Sequence, residues 1–318
     1  MVDMLTAHKA SWAAVVLSHP HGDHAAGMVT VLDSMGSGPI GCVAPYVEPP
    51  DAWLASDDPA RQLAAGEVEA ALAAIEYRWR DPAQRWELVS GSTRTLGDAR
   101  LTVLHPTESD VDEAVKAPPP ADPNQLASPL MIEWHAVEII LGSDLPKKGW
   151  RKVKLSHPDA RLASHHALKI AHHGSDNAVH AVVLQHDSRD RTWILTPFHR
   201  GRRLPNFGDG GGVEALHGHN DELILTSLRD PAVTDSPPHV SRQKVRDFRA
   251  KTRSRSLGAR VRVVPRPGMD PGGWVAVGFD RSGEIQHREY GSGAVIVVND
   301  PSAAAGSKRA KKKRPRGK

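Results

Sequence analysis

The segment Ser18-His19-Pro20-His21-Gly22-Asp23-His24 sets three histidines and an aspartate within six positions, directly after a short apolar run. Imidazole nitrogen and carboxylate oxygen are natural ligands of zinc and of similar divalent ions. On an extended segment His19 and His21 fall on one side, so both can reach one ion. Asp23 and His24 lie beyond the bend at Gly22, at the start of a helix, and can reach a second ion. Side chains of these types at this spacing point to a metal centre.

The motif resembles the HxHxDH signature of the metallo-β-lactamase fold superfamily, matched at His19, His21, Asp23 and His24. Two later segments agree with that family in order. Ile139-Ile140-Leu141-Gly142-Ser143-Asp144 resembles its strand-then-GD motif, whose aspartate bridges both metals. Leu168-Lys169-Ile170-Ala171-His172-His173-Gly174-Ser175 resembles the LKxxHHGS motif of the branch found in ComEC-type competence proteins. Leu104-His105-Pro106, and Asn124 with Ser128, are weaker echoes of that branch. The resemblance runs over roughly residues 10 to 225.

The resemblance implies an α/β chain folded as an αββα four-layer sandwich that binds two divalent ions, zinc first and manganese second. His19 and His21 would hold one ion, Asp23, His24 and His172 the other, and Asp144 would bridge them. Two ions about 3.5–4 Å apart can share a hydroxide and stabilise a departing oxygen. Asp23 and His173 are the implied catalytic groups. His173 would donate a proton or touch a phosphate oxygen, with a supporting or packing role as the other reading. Gly174 and Ser175 shape the loop. The branch implies a phosphodiesterase or nuclease acting on a phosphodiester substrate such as DNA or RNA. Two alternatives stand beside it: a nucleic-acid-binding protein with a degenerate metal site, and a hydrolase of a small ester or lactam. The family fold opens with several strands before HxHxDH, whereas 18 residues precede His19 here, so the expectation is a sandwich lacking N-terminal strands, with an exposed edge at Ala13 to Ser18.

The other histidines read as packing or surface groups: His105 before a proline, His135 in a turn, His165-His166 on a helix surface, and His217 and His219 late in the chain. The elements that must position the motif are short. Strands are expected at Ala13 to Ser18, Arg100 to Leu104, Leu168 to Ala171, Trp193 to Thr196 and Ala294 to Val298. Hairpins are expected at Leu130 to Trp134 with Val137 to Leu141, and across Asp280-Arg281-Ser282-Gly283. Helices are expected at Leu5 to Trp12, Ala25 to Met35 and, longest, Pro59 to Arg80. Phe207 to Val213 reads as a Gly-rich loop that fits no dinucleotide fingerprint.

The 318 residues hold 39% hydrophobic side chains, enough for a sizeable core in one large domain or two small ones; the resemblance implies one hydrolase domain over 1–302, of which 226–302 carries no motif. No apolar run approaches the roughly 18–20 residues of a membrane span, and Met1 to Lys9 does not read as a signal peptide. The single cysteine, Cys42, excludes an internal disulfide and a cysteine zinc cage. A cytoplasmic location is the simplest expectation. Net charge is +4, but Ser307 to Lys318 hold five lysines, three arginines and no acid. Removing that +8 leaves the rest of the chain at −4, so the basic character belongs to a 303–318 tail. The tail reads as disordered and could tether a nucleic acid.

Overall fold

A computed structural model of the chain describes residues 12–43, 59–116, 123–158, 160, 162–178, 180–184, 191–198, 204–205, 216, 222–226, 259–263, 275–290 and 295–299. The expected helix at Leu5 to Trp12 (but for Trp12), the loop at Phe207 to Val213, His217, His219 and the tail lie outside these residues. The chain divides into two units: Met1–His135 with Ile140–Ala160, and Ala136–Ile139 with Arg161–Lys318. Helices and mixed sheets place it in the α/β class.

In the first unit, β1 (Val15–Leu17), β2 (Ile40–Cys42) and β3 (Arg85–Glu87) form a parallel sheet in that order, with Leu17 opposite Cys42 and Gly41 opposite Trp86. The strand period of two sorts β1 between two cores. Val15 and Leu17 join Ile40 and Cys42 beneath a helical layer, whereas Val16 packs on the opposite side. That layer is α1 (Gly22–Ala25), α2 (Met28–Ser34) and α3 (Pro59–Arg78), which contribute Ala25, Met28, Leu32, Val68, Ala71, Leu72 and Ile75. Trp79, just past α3, donates its indole N–H to the Ile40 carbonyl at 2.8 Å. The single helix expected over Ala25 to Met35 is two helices. The chain breaks at Gly27, whose φ of 77° is open to a residue without Cβ.

The other face of β1–β3 meets an antiparallel sheet of β4 (Thr93–Leu96), β5 (Ala99–Val103) and β6 (Leu130–Trp134). Val43, Trp86, Leu88, Leu101, Val103 and Leu130 fill the space between them. A Cβ at Gly41 would lie 2.9 Å from Leu88, 3.0 Å from Trp86 and 3.2 Å from Val16, so glycine is what lets those side chains close over β2. The first unit is thus layered helix, sheet, sheet. Two further α-helices among its described residues are α4 (Glu108–Lys116) and α5 (Lys147–Ser156), which bury Val111, and Trp150 with Val153, respectively.

A polar network joins these last helices. Asp110 of α4 accepts from the Thr107 backbone N–H at 3.0 Å and its hydroxyl at 2.6 Å, pairs with Lys152 of α5, and faces His105 Nε2 at 3.2 Å. Burial opposes ionisation of Asp110, but the hydrogen bonds from His105, Lys152 and Thr107 outweigh it and hold the carboxyl far below the usual carboxylate range.

In the second unit, β8 (Ala167–Lys169), β9 (Thr192–Leu195) and β10 (Glu222–Leu225) are parallel, and β14 (Val295–Asn299) and β11 (Ala259–Val263) extend the sheet antiparallel beyond β10. β7 (Val137–Leu141) follows β6 after the turn at His135, and its first three residues belong to this unit. The expected hairpin is β12 (Val275–Phe279) with β13 (Ile285–Tyr290). Asp280 in its turn accepts from the Ser282 and Glu284 N–H groups at 2.8 and 3.1 Å. His165 and His166 are not on a helix surface. They are buried in the approach to β8 because polar partners wait inside: His165 Nδ1 donates to the Leu162 carbonyl at 2.9 Å, and its Nε2 accepts from the Trp193 indole at 3.2 Å. His166 Nδ1 accepts from the Glu138 N–H at 3.1 Å.

Asp110→Asn is expected to lower stability by about 2 kcal/mol at pH 7, because it leaves Lys152 and His105 without their anion. The folded carboxyl is depressed, so its contribution is complete above the ordinary value near ~3.9 and is lost as pH falls below it. Urea unfolding should therefore show the gap between variant and wild type narrowing steadily as the pH is lowered from ~4 toward ~2. A gap that stays constant across that window would show that the network does not act through the ionised carboxylate.

Candidate metal centre

Two loops at strand ends build the centre within the first unit. The first leaves β1 at Leu17, bends at His19 and Pro20 instead of running extended as expected, with the His21 N–H on the His19 carbonyl at 2.9 Å, and turns into α1, with the His24 and Ala25 N–H groups returning to the His21 carbonyl at 3.0 and 2.9 Å. Gly22 has no alternative there. A Cβ at that position would lie 2.6 Å from the Ala64 Cβ of α3, so only glycine lets the loop turn this close to the helix. The second loop leaves β7 through Gly142 and Ser143, the latter at φ 48°, and presents Asp144 two residues before Pro146 caps α5.

Five of the predicted ligands converge here. His24 Nε2 lies 3.3 Å from Asp144 Oδ1 and 3.9 Å from Asp23 Oδ2, and His21 Nδ1 contacts Asp23 Oδ1. The His19 ring is 4.2 Å from that of His24 and stacks on His21 at 5.7 Å, centroid to centroid. Ligand atoms of Asp23, His24 and Asp144 all lie within 4.8 Å of one another, a spread that one ion can bridge. His19 and Asp144 are 0% and 1% exposed, whereas Asp23 is open to solvent.

The donor set fits a divalent ion on its own evidence. His19 Nε2 is fully buried and has no hydrogen-bond partner among the described residues, a costly state for an imidazole nitrogen that a metal would relieve. Burial holds the His19 imidazole well below its ordinary value; the neighbouring His24 ring adds to that effect, and the Asp144 carboxylate opposes it. The ring is therefore neutral at pH 7, the form that ligates. Three imidazoles with two carboxylates suit zinc, and the oxygen share admits manganese.

The reading of residue types alone overlooked two hydroxyls. Ser18 Oγ lies 3.2 Å from His19 Nδ1 and 3.3 Å from His24 Nδ1, and a 2.9 Å hydroxyl–hydroxyl hydrogen bond joins Ser18 to Ser143. Their signal in the sequence was adjacency: each directly precedes a predicted ligand.

His172 and His173 belong to the second unit, on a 3-10 turn at Ala171–Gly174 that follows β8. Both hold left-handed backbone, φ 45° and 53°, which side chains with a Cβ adopt only where their surroundings enforce it. His173 Nδ1 donates to the Thr196 carbonyl at 2.8 Å, and its ring stacks on Phe198 at 5.0 Å, which fixes the ring. Gly174 shapes the turn as expected: at φ 72° its Cβ would lie 2.5 Å from Leu195. Ser175 Oγ is spent on Asn177 at 2.7 Å. His105 is engaged on both ring nitrogens, by Asp110 and by the Ala127 carbonyl at 3.2 Å, as a packing residue.

No family model matches the chain, and no curated protein sequence matches it.

Zn²⁺ or Mn²⁺ at 100 times its dissociation constant is expected to stabilise the protein by about 2.7 kcal/mol, seen as a higher unfolding midpoint. Asp144→Ala should remove most of that rise. A wild-type midpoint that is indifferent to both ions would show that these donors hold neither.

Proposed function

We propose that the chain is a metal-dependent hydrolase of phosphodiesters, most simply a phosphodiesterase or nuclease of the metallo-β-lactamase-like kind. The observation that carries the reading is the buried, partnerless Nε2 of His19 beside a convergent set of His24, Asp23 and Asp144 donors. The preference for phosphate esters over lactams rests on the LKxxHHGS resemblance and on the +8 charge of Ser307 to Lys318, which would favour a polyanionic substrate.

His19, His21, Asp23, His24 and Asp144 would hold two divalent ions, zinc or manganese, and His172 joins them in this proposal by its place in the motif. Bound, the ions would supply Lewis acidity toward a phosphoryl oxygen and lower the pKa of water. The chain's own part is to fix the donors and to handle protons. Asp23 is the solvent-open carboxylate, so its Oδ2 is the atom placed to take a proton from an attacking water as the new P–O bond forms. His173 is the candidate donor to the leaving alkoxide as the old P–O bond breaks. With Nδ1 anchored on Thr196, the proton it gives would leave from Nε2.

Purified protein loaded with Zn²⁺ or Mn²⁺ should hydrolyse bis-(p-nitrophenyl) phosphate and leave nitrocefin intact, and chelation should abolish the activity. Asp144→Asn should lower kcat/KM by about 10²-fold or more. Hydrolysis of nitrocefin alone would shift the reading to a lactamase. Metal uptake with no hydrolysis, combined with nucleic-acid binding, would favour a binding protein. Deleting 303–318 should leave small-substrate hydrolysis unchanged while flattening the salt dependence of DNA binding, by about 0.9 in log–log slope for each phosphate the tail no longer neutralises.

A further inference from the structure

Every ligand histidine must offer one nitrogen to the ion and dispose of the hydrogen on the other. A neutral imidazole carries one N–H, and whichever nitrogen finds an acceptor keeps it. Ser18 Oγ lies against Nδ1 of both His19 and His24, at 3.2 and 3.3 Å, so one hydroxyl meets two rings. Ser143 Oγ donates to that hydroxyl at 2.9 Å, which leaves Ser18 Oγ one lone pair and one hydrogen for the two ring nitrogens. All the bonding capacity of that hydroxyl is thereby used. The residue that carries it is itself fixed, because the Ser18 carbonyl accepts from the Ser128 N–H at 2.9 Å.

Ser143 supplies the second observation. Its φ of 48° is a conformation in which glycine would be free of penalty and serine is not. A side chain kept there at a cost in strain should have a use, and the use in view is the hydroxyl that faces Ser18 and, at 3.5 Å, His19 Nδ1. Ser143 also comes immediately before Asp144, so the same contact ties the carboxylate loop to the histidine loop.

We propose that Ser18 and Ser143 are positioning residues. Together they engage Nδ1 of both His19 and His24, so that both rings direct Nε2 at the ion and the two ligand loops keep their register. The proposal rests on the metal-centre reading above.

The test uses the full chain as wild type, Ser18→Ala, Ser18→Thr and Ser143→Gly, with Co²⁺ and Zn²⁺ alone as probes. Affinity is read by chelator competition, ligand geometry by the visible Co²⁺ spectrum, and fold by metal-free thermal unfolding. Ser18→Ala should bind about 10- to 100-fold more weakly, the usual cost of losing a group that orients a ligand. Ser18→Thr, which keeps the hydroxyl, should recover most of that loss. Ser143→Gly is the decisive variant: relief of backbone strain should keep or raise its metal-free unfolding midpoint, while Co²⁺ binds more weakly and its spectrum shifts. Wild-type affinity and spectrum in both Ser18→Ala and Ser143→Gly would overturn the proposal. So would an affinity loss that merely follows a loss of metal-free stability and is not rescued by threonine. If the wild type itself takes up neither ion, the metal-centre reading fails first and this proposal with it, an outcome read from the wild type alone.

Discussion

Three imidazoles and two carboxylates share one small volume at the ends of β1 and β7, and much of that volume is closed to water. Such a set is unfavourable by itself. His19 has lost its hydration without gaining a partner for Nε2, and its ring lies 4.2 Å from a second imidazole that disfavours any charge on it. The Asp144 carboxylate, 1% exposed, opposes that effect. The surrounding scaffold is best understood as what holds these groups together against their own desolvation.

The scaffold does so with close packing more than with charge. Gly22 brings the histidine loop against Ala64, and Gly41 lets Trp86 and Leu88 cover the middle strand. Behind the loop, a chain of ordinary contacts leads inward: Ser128 holds the Ser18 carbonyl, Ala127 next to it engages His105, and His105 faces Asp110. Asp110 joins α4 to α5, the helix that begins three residues after Asp144. Both ligand loops are therefore connected to the same buried carboxylate through a few hydrogen bonds. Rigidity of this kind places ligand atoms within the tolerance a metal requires.

Much of this was legible in the residues. The HxHxDH spacing, the GSD turn and the long Ala-rich helix were read from type and period, because each depends on local chemistry. What escaped depends on distant partners. β3 is three residues with charged ends, Arg85-Trp86-Glu87, and only the burial of Trp86 between two sheets identifies it as a strand. α4 and α5 are rich in charge, and each is anchored by a few apolar residues whose covering comes from elsewhere in the fold. His165 and His166 looked like surface because nothing in the sequence foretells Trp193 and Glu138 as partners. The left-handed backbone at Ser143 and His172 could not be read either, since residues with a Cβ adopt it only when tertiary contacts impose it.

Cys42 sits opposite Leu17 in the sheet, one strand across from the residue that leads into the histidine loop. A thiolate beside a candidate metal centre would ordinarily compete for an ion, or oxidise and lose its place. Burial pushes this thiol up to about 12, so at neutral pH it stays protonated and behaves as a small apolar side chain. The candidate donors at this end of the sheet are therefore nitrogen and oxygen atoms, which suit harder ions better than copper(I). The same burial keeps the chain's one thiol from peroxide while β1 and β2 stay paired, so its oxidation would report on the parting of those strands.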